Sequence, residues 1–262
     1  MWALYDELIG GIPDDLTADQ IICGVRNSLV KSGGNYGFTS TWDAAWRPRL
    51  LPKKAPGMPL KALAACVKSW DFAEASLGLA AINAYYNDIE TLKSLGVSIS
   101  PANHTEDRAF DPFIAYQNEI KGKNVVVIGR FPYLDKLFAP VCRLSVIVDA
   151  KMKLNERIQL EDAPYPEQSA EYLLPESDYV FISCYALAEK SLPRFLNLAQ
   201  NARVILVGKA APLSPVLHRY GVYDLAGFVV KDGEGAADCC LGLGGNLYAF
   251  GQKVSFKAPH PD

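Results

Sequence analysis

Two places in the chain set a cation directly behind a glycine at the end of an apolar run: Gly129-Arg130 after residues 125–128, and Gly208-Lys209 after residues 204–207. If both runs are strands of one parallel sheet, both loops leave by its carboxyl edge. There Arg130, Lys209 and free backbone N–H groups can hold an anion. Phe131 and Pro132 follow Arg130, and a proline there can open a helix because its missing N–H would be unpaired in any case. A third run, Tyr179–Ser183, brings the Ser183 hydroxyl and the Cys184 thiol to the same edge. That thiol is either an inert buried group or, with a neighbour that lowers its pKa, a nucleophile or soft-metal ligand. Asp149 ends a fourth run about twenty residues after Gly129, the spacing at which dinucleotide-binding proteins place a ribose-binding carboxylate. A strand-end aspartate is also a common turn residue, and the loop at Gly129 lacks the other glycines of a GxGxxG pattern. Ser214 stands where it can cap a helix opening at Pro215.

The histidines and cysteines are the remaining candidates. His104 lies in a polar stretch with Glu106, Asp107 and Asp111, a set that suits either a hard or borderline metal or a solvated linker. His218, beside Arg219, reads as a surface residue, and His260 lies in a proline-flanked tail. The six cysteines contain no CxxC pair, which excludes a zinc ribbon and suits free thiols in a reducing compartment. Cys239 and Cys240 are adjacent and read as packing, with Gly242, Gly244 and Gly245 ending their helix.

The elements that must position these groups divide the chain. Residues 1–9 and 60–69 have helical character, as does the alanine-rich run 72–87, while 21–25 and 38–42 read as strands around a glycine-rich turn at 31–37. Residues 47–59, with four prolines, read as an irregular excursion. After a polar linker at 97–112, the runs 125–129, 144–149, 179–183, 204–208 and 228–230 alternate with helical segments at 133–139, 187–199, 215–220 and 234–241. Continuous apolar strands separated by helices predict a mainly parallel sheet with right-handed crossovers. The expectation is an α/β protein of two domains with separate cores: an α+β domain over residues 1–105 and a Rossmann-like domain over 106–262.

Composition narrows the partners. A net charge of -3, from 26 basic and 29 acidic residues, supplies no positive field for nucleic acid. No run is long enough to span a membrane and the first residues do not read as a signal peptide, so a cytoplasmic protein is expected. Self-association is left open.

The run Val125-Val126-Val127-Ile128-Gly129-Arg130-Phe131-Pro132, the strand Tyr179–Ser183 with Ala186-Leu187, and above all Val207-Gly208 with Pro212-Leu213-Ser214-Pro215 and Tyr220-Gly221-Val222 resemble the family called domain of unknown function 364. Heavy-metal chelation is the role suggested for that family. In the first half, Leu77-Gly78-Leu79-Ala80-Ala81-Ile82-Asn83-Ala84 is similar to a helix of such proteins. The resemblance implies an enolase N-terminal-like domain ahead of a Rossmann-like one, with the site in the cleft between them and no implication of enolase chemistry. The chain departs from the family pattern at Lys209-Ala210-Ala211 and Cys184-Tyr185, where small hydroxyl residues are expected.

Taken with the resemblance, the leading expectation is a protein that binds a small anionic molecule, a transition metal or a metal chelate. Asn83, Arg130, Phe131, Asp149, Ser183, Lys209 and Ser214 are the candidate ligand-binding residues, and Cys184 and His104 the candidate metal ligands. Catalysis is left open. An enzyme using an adenosine-containing cofactor, such as a methyl transferase or dehydrogenase, is the alternative that Asp149 motivates, and a non-catalytic scaffold is the third.

Overall fold

The computed structural model describes residues 2–42, 51, 55–102, 108–148 and 164–259. Most of the excursion at 47–59, together with His104, Glu106, Asp107, Asp149 and His260, lies outside these residues. Among the described residues no helix is long and apolar enough to cross a membrane.

The first half is a helix, Ala3–Gly10, followed by an antiparallel meander of β1 (Gln20–Cys23), β2 (Asn27–Ser32) and β3 (Asn35–Ser40). Strand β2 was not expected. Its polar Asn27, Lys31 and Ser32 mask the buried Ser28, Leu29 and Val30, so the glycine-rich stretch reads as one long turn when the turn itself is only Gly33-Gly34. Gly37 belongs to β3. A Cβ there would lie 1.9 Å from the Ala80 carbonyl oxygen, and its absence lets the strand press onto the helix Phe72–Tyr86. That helix is capped by Asp71, whose carboxylate accepts from the Ala73 and Glu74 N–H groups. Its residues 74–84 are all buried, because small side chains let elements approach closely on every side.

The second sheet has seven strands in the order β4-β10-β9-β8-β7-β5-β6. Strands β5 (Asn124–Ile128), β6 (Arg143–Ile147), β7 (Tyr179–Ser183), β8 (Arg203–Val207) and β9 (Val222–Val230) pair in parallel. The mainly parallel sheet is thus as the apolar runs foretold. Two strands were not foreseen: β10 (Gly251–Lys257), antiparallel to β9, and β4 (Ser98–Ile99), antiparallel to β10. Strand β10 has the polar alternation of a half-exposed antiparallel strand. Strand β4 comes from the segment read as linker.

The expectation of separate cores gives way. The largest cluster of buried apolar side chains runs from Leu4, Leu8 and Leu63, through the 72–86 helix, to Val180, Leu206 and Leu225 of the second sheet. The other face of that sheet carries its own aromatic core, with Phe113, Phe138 and Phe181 in mutual ring contact at 5.0–5.5 Å. The physical reason is the 72–86 helix, which is apolar all round and therefore needs cover on both sides. Lys190 ties the same seam. It adopts φ +67, is 5% exposed, and its ammonium donates to the carbonyls of Ser69 in the first half and Ala188 in the second.

Candidate functional site

Strands β5, β7 and β8 lie side by side and release Gly129, Ser183-Cys184 and Gly208 at one edge. Both glycines have left-handed φ, 117° and 136°, and both lie against the exit of β7. A Cβ on Gly129 would be 2.8 Å from the Ser183 Cβ, and one on Gly208 would be 2.4 Å from the Cys184 sulfur. The shared glycine-cation pattern therefore reflects, first, packing on either side of β7. Ser183 is half-buried, and its hydroxyl accepts from the Tyr185 N–H at 3.4 Å. Cys184 is 2% exposed, and burial pushes its thiol up to about 11, against a smaller opposing effect of Lys209. Burial thus favours the protonated thiol at neutral pH.

The two cations part company beyond their glycines. Arg130 is exposed, and Phe131 turns its ring onto Phe113 at 4.8 Å, in the aromatic core. Lys209 instead enters the floor of a cleft of about 1090 Å³, to which Arg130 contributes nothing. One wall is the β1–β2 connection from Cys23 to Asn27, and the other is the end of the helix Gly233–Leu241 with the glycine-rich turn behind it. Asp232 caps the start of that helix and Gly242, at φ 83, its end. The Lys209 ammonium lies 5.1 Å from the Phe38 ring centroid and 4.9 Å from that of Tyr248. Among the described residues it has no ion pair or hydrogen bond, and burial draws its pKa below the usual lysine value. Cys240 is buried beside it, its thiol pushed up to about 12, while Cys239 is half-buried with its sulfur 3.7 Å from the Gly245 carbonyl. The packing role read for Cys240 fits this placement.

The loop that carries Lys209 is held from beneath. Asn83 is fully buried, and its amide nitrogen donates to the Phe38 carbonyl at 2.9 Å and the Ala210 carbonyl at 3.0 Å. Asn87, one turn later, donates to the Ala211 and Phe228 carbonyls and accepts from the Leu213 N–H at 2.9 Å. Ser214 is buried and caps the helix Pro215–Arg219 through the Val216 N–H. Asn83 and Ser214, named from sequence among the ligand-binding residues, shape the loop through the Asn83 amide nitrogen and the Ser214 hydroxyl, while the Asn83 Oδ1 is buried with no hydrogen-bond partner among the described residues. Asn87 escaped notice, although its i+4 spacing from Asn83 puts both amides on one helix face. Tyr185, Ser40 and Trp42 were also missed: the Tyr185 hydroxyl donates to Ser40, and its ring lies 4.9 Å from that of Trp42. No periodicity announces such a contact across halves.

His218 is the only histidine among the described residues, and it does not line the Lys209 cleft. His218, read as a surface residue, is half-buried, with Nδ1 2.8 Å from the Val222 carbonyl and its ring edge-on to Phe256. Burial lowers its pKa. Among the described residues no three His, Cys, Asp or Glu side chains converge as a metal-holding group.

With this geometry in view, the comparisons with known proteins are direct. Residues 111–258 match the family DUF364 and residues 5–86 the family DUF4213, both described as "Putative heavy-metal chelation". A crystal structure of a DUF364-family protein of unknown function from Desulfitobacterium hafniense DCB-2 is 42% identical, with a TM-score of 0.86 over 98% of this chain and 99% of that one. A second, from Pyrococcus horikoshii, is 22% identical and shares the fold at a TM-score of 0.75 over 97% and 98% of the two chains. No curated protein matches.

Proposed function

Because the chain belongs to the DUF364 family, we propose that it binds a small anionic ligand, such as a metal chelate, in the cleft floored by Lys209. The observation that carries this reading is the Lys209 ammonium, unpaired among the described residues and set between two aromatic faces in a cleft. Desolvation strengthens the pull of such a cation on an incoming carboxylate, and the aromatic faces favour its charged form. The metal enters this reading as cargo, brought by its own organic ligand. Its donors come from the chelator, since among the described residues no three His, Cys, Asp or Glu side chains converge on one point.

Citrate and its ferric and zinc complexes are suitable probes. Calorimetric titration into the full chain should give binding that Lys209→Met weakens by about tenfold or more, equivalent to roughly 1.4 kcal/mol. Equal affinity in the two proteins would remove Lys209 from the site, and binding of the free metal salt in preference to its chelate would put the metal donors on the protein. The reading of an adenosine-cofactor enzyme gains nothing from Gly129, which lies against the Ser183 side chain rather than opening the backbone to a pyrophosphate.

A further inference from the structure

A second cavity, of about 410 Å³, lies away from the Lys209 cleft, over the start of β9 and the end of β10. Its walls are largely apolar, with Leu95, Val97, Phe110 and Phe256 among them. On its floor is Asp224, 2% exposed, a charged residue buried in β9 among otherwise mostly apolar side chains. The Tyr116 hydroxyl donates to its Oδ2 at 2.8 Å, and the Ser255 hydroxyl lies 3.1 Å from both carboxylate oxygens. These are neutral donors. Among the described residues no basic nitrogen lies within ion-pair distance of Asp224, so the carboxylate has no countercharge at contact.

Lys257 makes this unusual. It stands directly opposite Asp224 in the β9–β10 register, yet its ammonium leans over the Tyr116 ring, 5.3 Å from the centroid, and its side chain is exposed at the lip of the cavity. The cavity thus holds an acid at its floor and a base at its lip, close enough to feel each other's charge but not in ion-pair contact, with Tyr116 between them and apolar walls around them. A simple amine drawn to Asp224 would set a second cation beside Lys257, and a simple carboxylic acid drawn to Lys257 would set a second anion beside Asp224. A zwitterion answers both. Ligand pockets of roughly 300 Å³ upward accommodate small organic molecules, and apolar walls with a few convergent polar groups are their usual form.

We propose that this cavity binds an α-amino acid with an apolar side chain, its ammonium toward Asp224, its carboxylate toward Lys257 and its side chain among Leu95, Val97, Phe110 and Phe256. Burial raises the Asp224 carboxyl above the usual carboxylate range, and an ammonium delivered by the ligand relieves that desolvation.

The test is calorimetric titration of the full chain with L-leucine, L-methionine and L-phenylalanine, alongside isoamylamine and 4-methylpentanoate, each of which keeps one charge of leucine. At least one amino acid should bind, and both half-ligands should bind about tenfold or more weakly. Lys257→Met should weaken the amino acid and 4-methylpentanoate but not isoamylamine, which is freed of a like-charged neighbour, and Asp224→Asn should weaken the amino acid and isoamylamine but not 4-methylpentanoate. Lys257 is exposed, so its variant decides the matter if Asp224→Asn does not fold. Absence of binding for all three amino acids at about 1 mM, half-ligands as tight as the parent, or indifference to Lys257→Met would each overturn the proposal. Lys209→Met should leave the amino-acid affinity unchanged, so failure here and failure in the other cleft are separate results.

Discussion

The contact between Gly208 and Cys184 lends itself to a double-mutant cycle. In Gly208→Ala the new Cβ would lie 2.4 Å from the Cys184 sulfur, and the residue would have to hold φ 136°, a region left-handed and strained for any side chain. The backbone strain should cost about 1–3 kcal/mol and the overlap in a packed core another 1–3 kcal/mol or so. Cys184→Ala alone removes one buried sulfur and should cost about 1–2 kcal/mol. In the double variant the sulfur is gone and the nearest remaining atom of residue 184 is its Cβ, at 3.5 Å, an ordinary contact. The overlap then disappears while the backbone strain remains. The double variant should therefore be more stable than the sum of the single losses by about 1–3 kcal/mol, a coupling well above the additivity error of about 0.5 kcal/mol for independent sites. Urea unfolding followed by circular dichroism reads all four proteins. Strict additivity would refute the packing account of Gly208 and Cys184, and rapid alkylation of Cys184 in the native protein at neutral pH would refute its protonated, buried state.

Lys190 should give a pH signature. Burial lowers its pKa from 10.5 to about 8, so between these values the unfolded chain binds more protons than the folded one. The Lys190 contribution to stability should then rise with pH across that window, by up to about 1.4 kcal/mol per unit, against the opposite contribution of buried thiols such as Cys184 and Cys240 whose pKa values are raised. The difference in stability between wild type and Lys190→Met isolates it, and a difference that stays constant from pH 8 to 10.5 would count against the assignment. Asn87→Ala strands the Leu213 N–H and two carbonyls, and should cost at least about 3 kcal/mol at roughly 1–3 kcal/mol for each of the three groups. Because the loop it holds carries Lys209, the same variant should weaken citrate binding even under conditions where it remains folded, as measured by calorimetry.

The sheet was legible because its parallel strands are covered on both faces: the runs at β5, β7 and β8 are apolar throughout, and glycines mark where two of them end. Strands β2 and β10 were illegible for the converse reason. Each has polar side chains interspersed, and each is fixed by its ladder to a neighbouring strand rather than by an apolar run of its own. Within the candidate site, Lys209 was legible from its position behind Gly208, but the direction of its side chain was not, since Phe38 and Tyr248 come from opposite ends of the chain. The same pattern misplaced Arg130. A strand-end rule fixes the edge at which a loop emerges, while the cavity its side chain enters depends on what the other half of the chain packs against that edge.

Strand β10 sits between β9 and β4, with Val254 paired to Ile99 and Ser255 to Ser98. More than half of the chain separates these partners. As the polypeptide leaves the ribosome, Ser98 and Ile99 therefore have no strand to pair with until residues 251–257 have been made, and the open flank of β9 is covered at the same moment. The parallel strands can assemble among themselves during synthesis, but this side of the sheet closes last, through contacts of high sequence separation that form slowly. A nascent chain stalled before residue 251 would present β9 as a bare edge, the state in which self-pairing and chaperone capture should be most frequent.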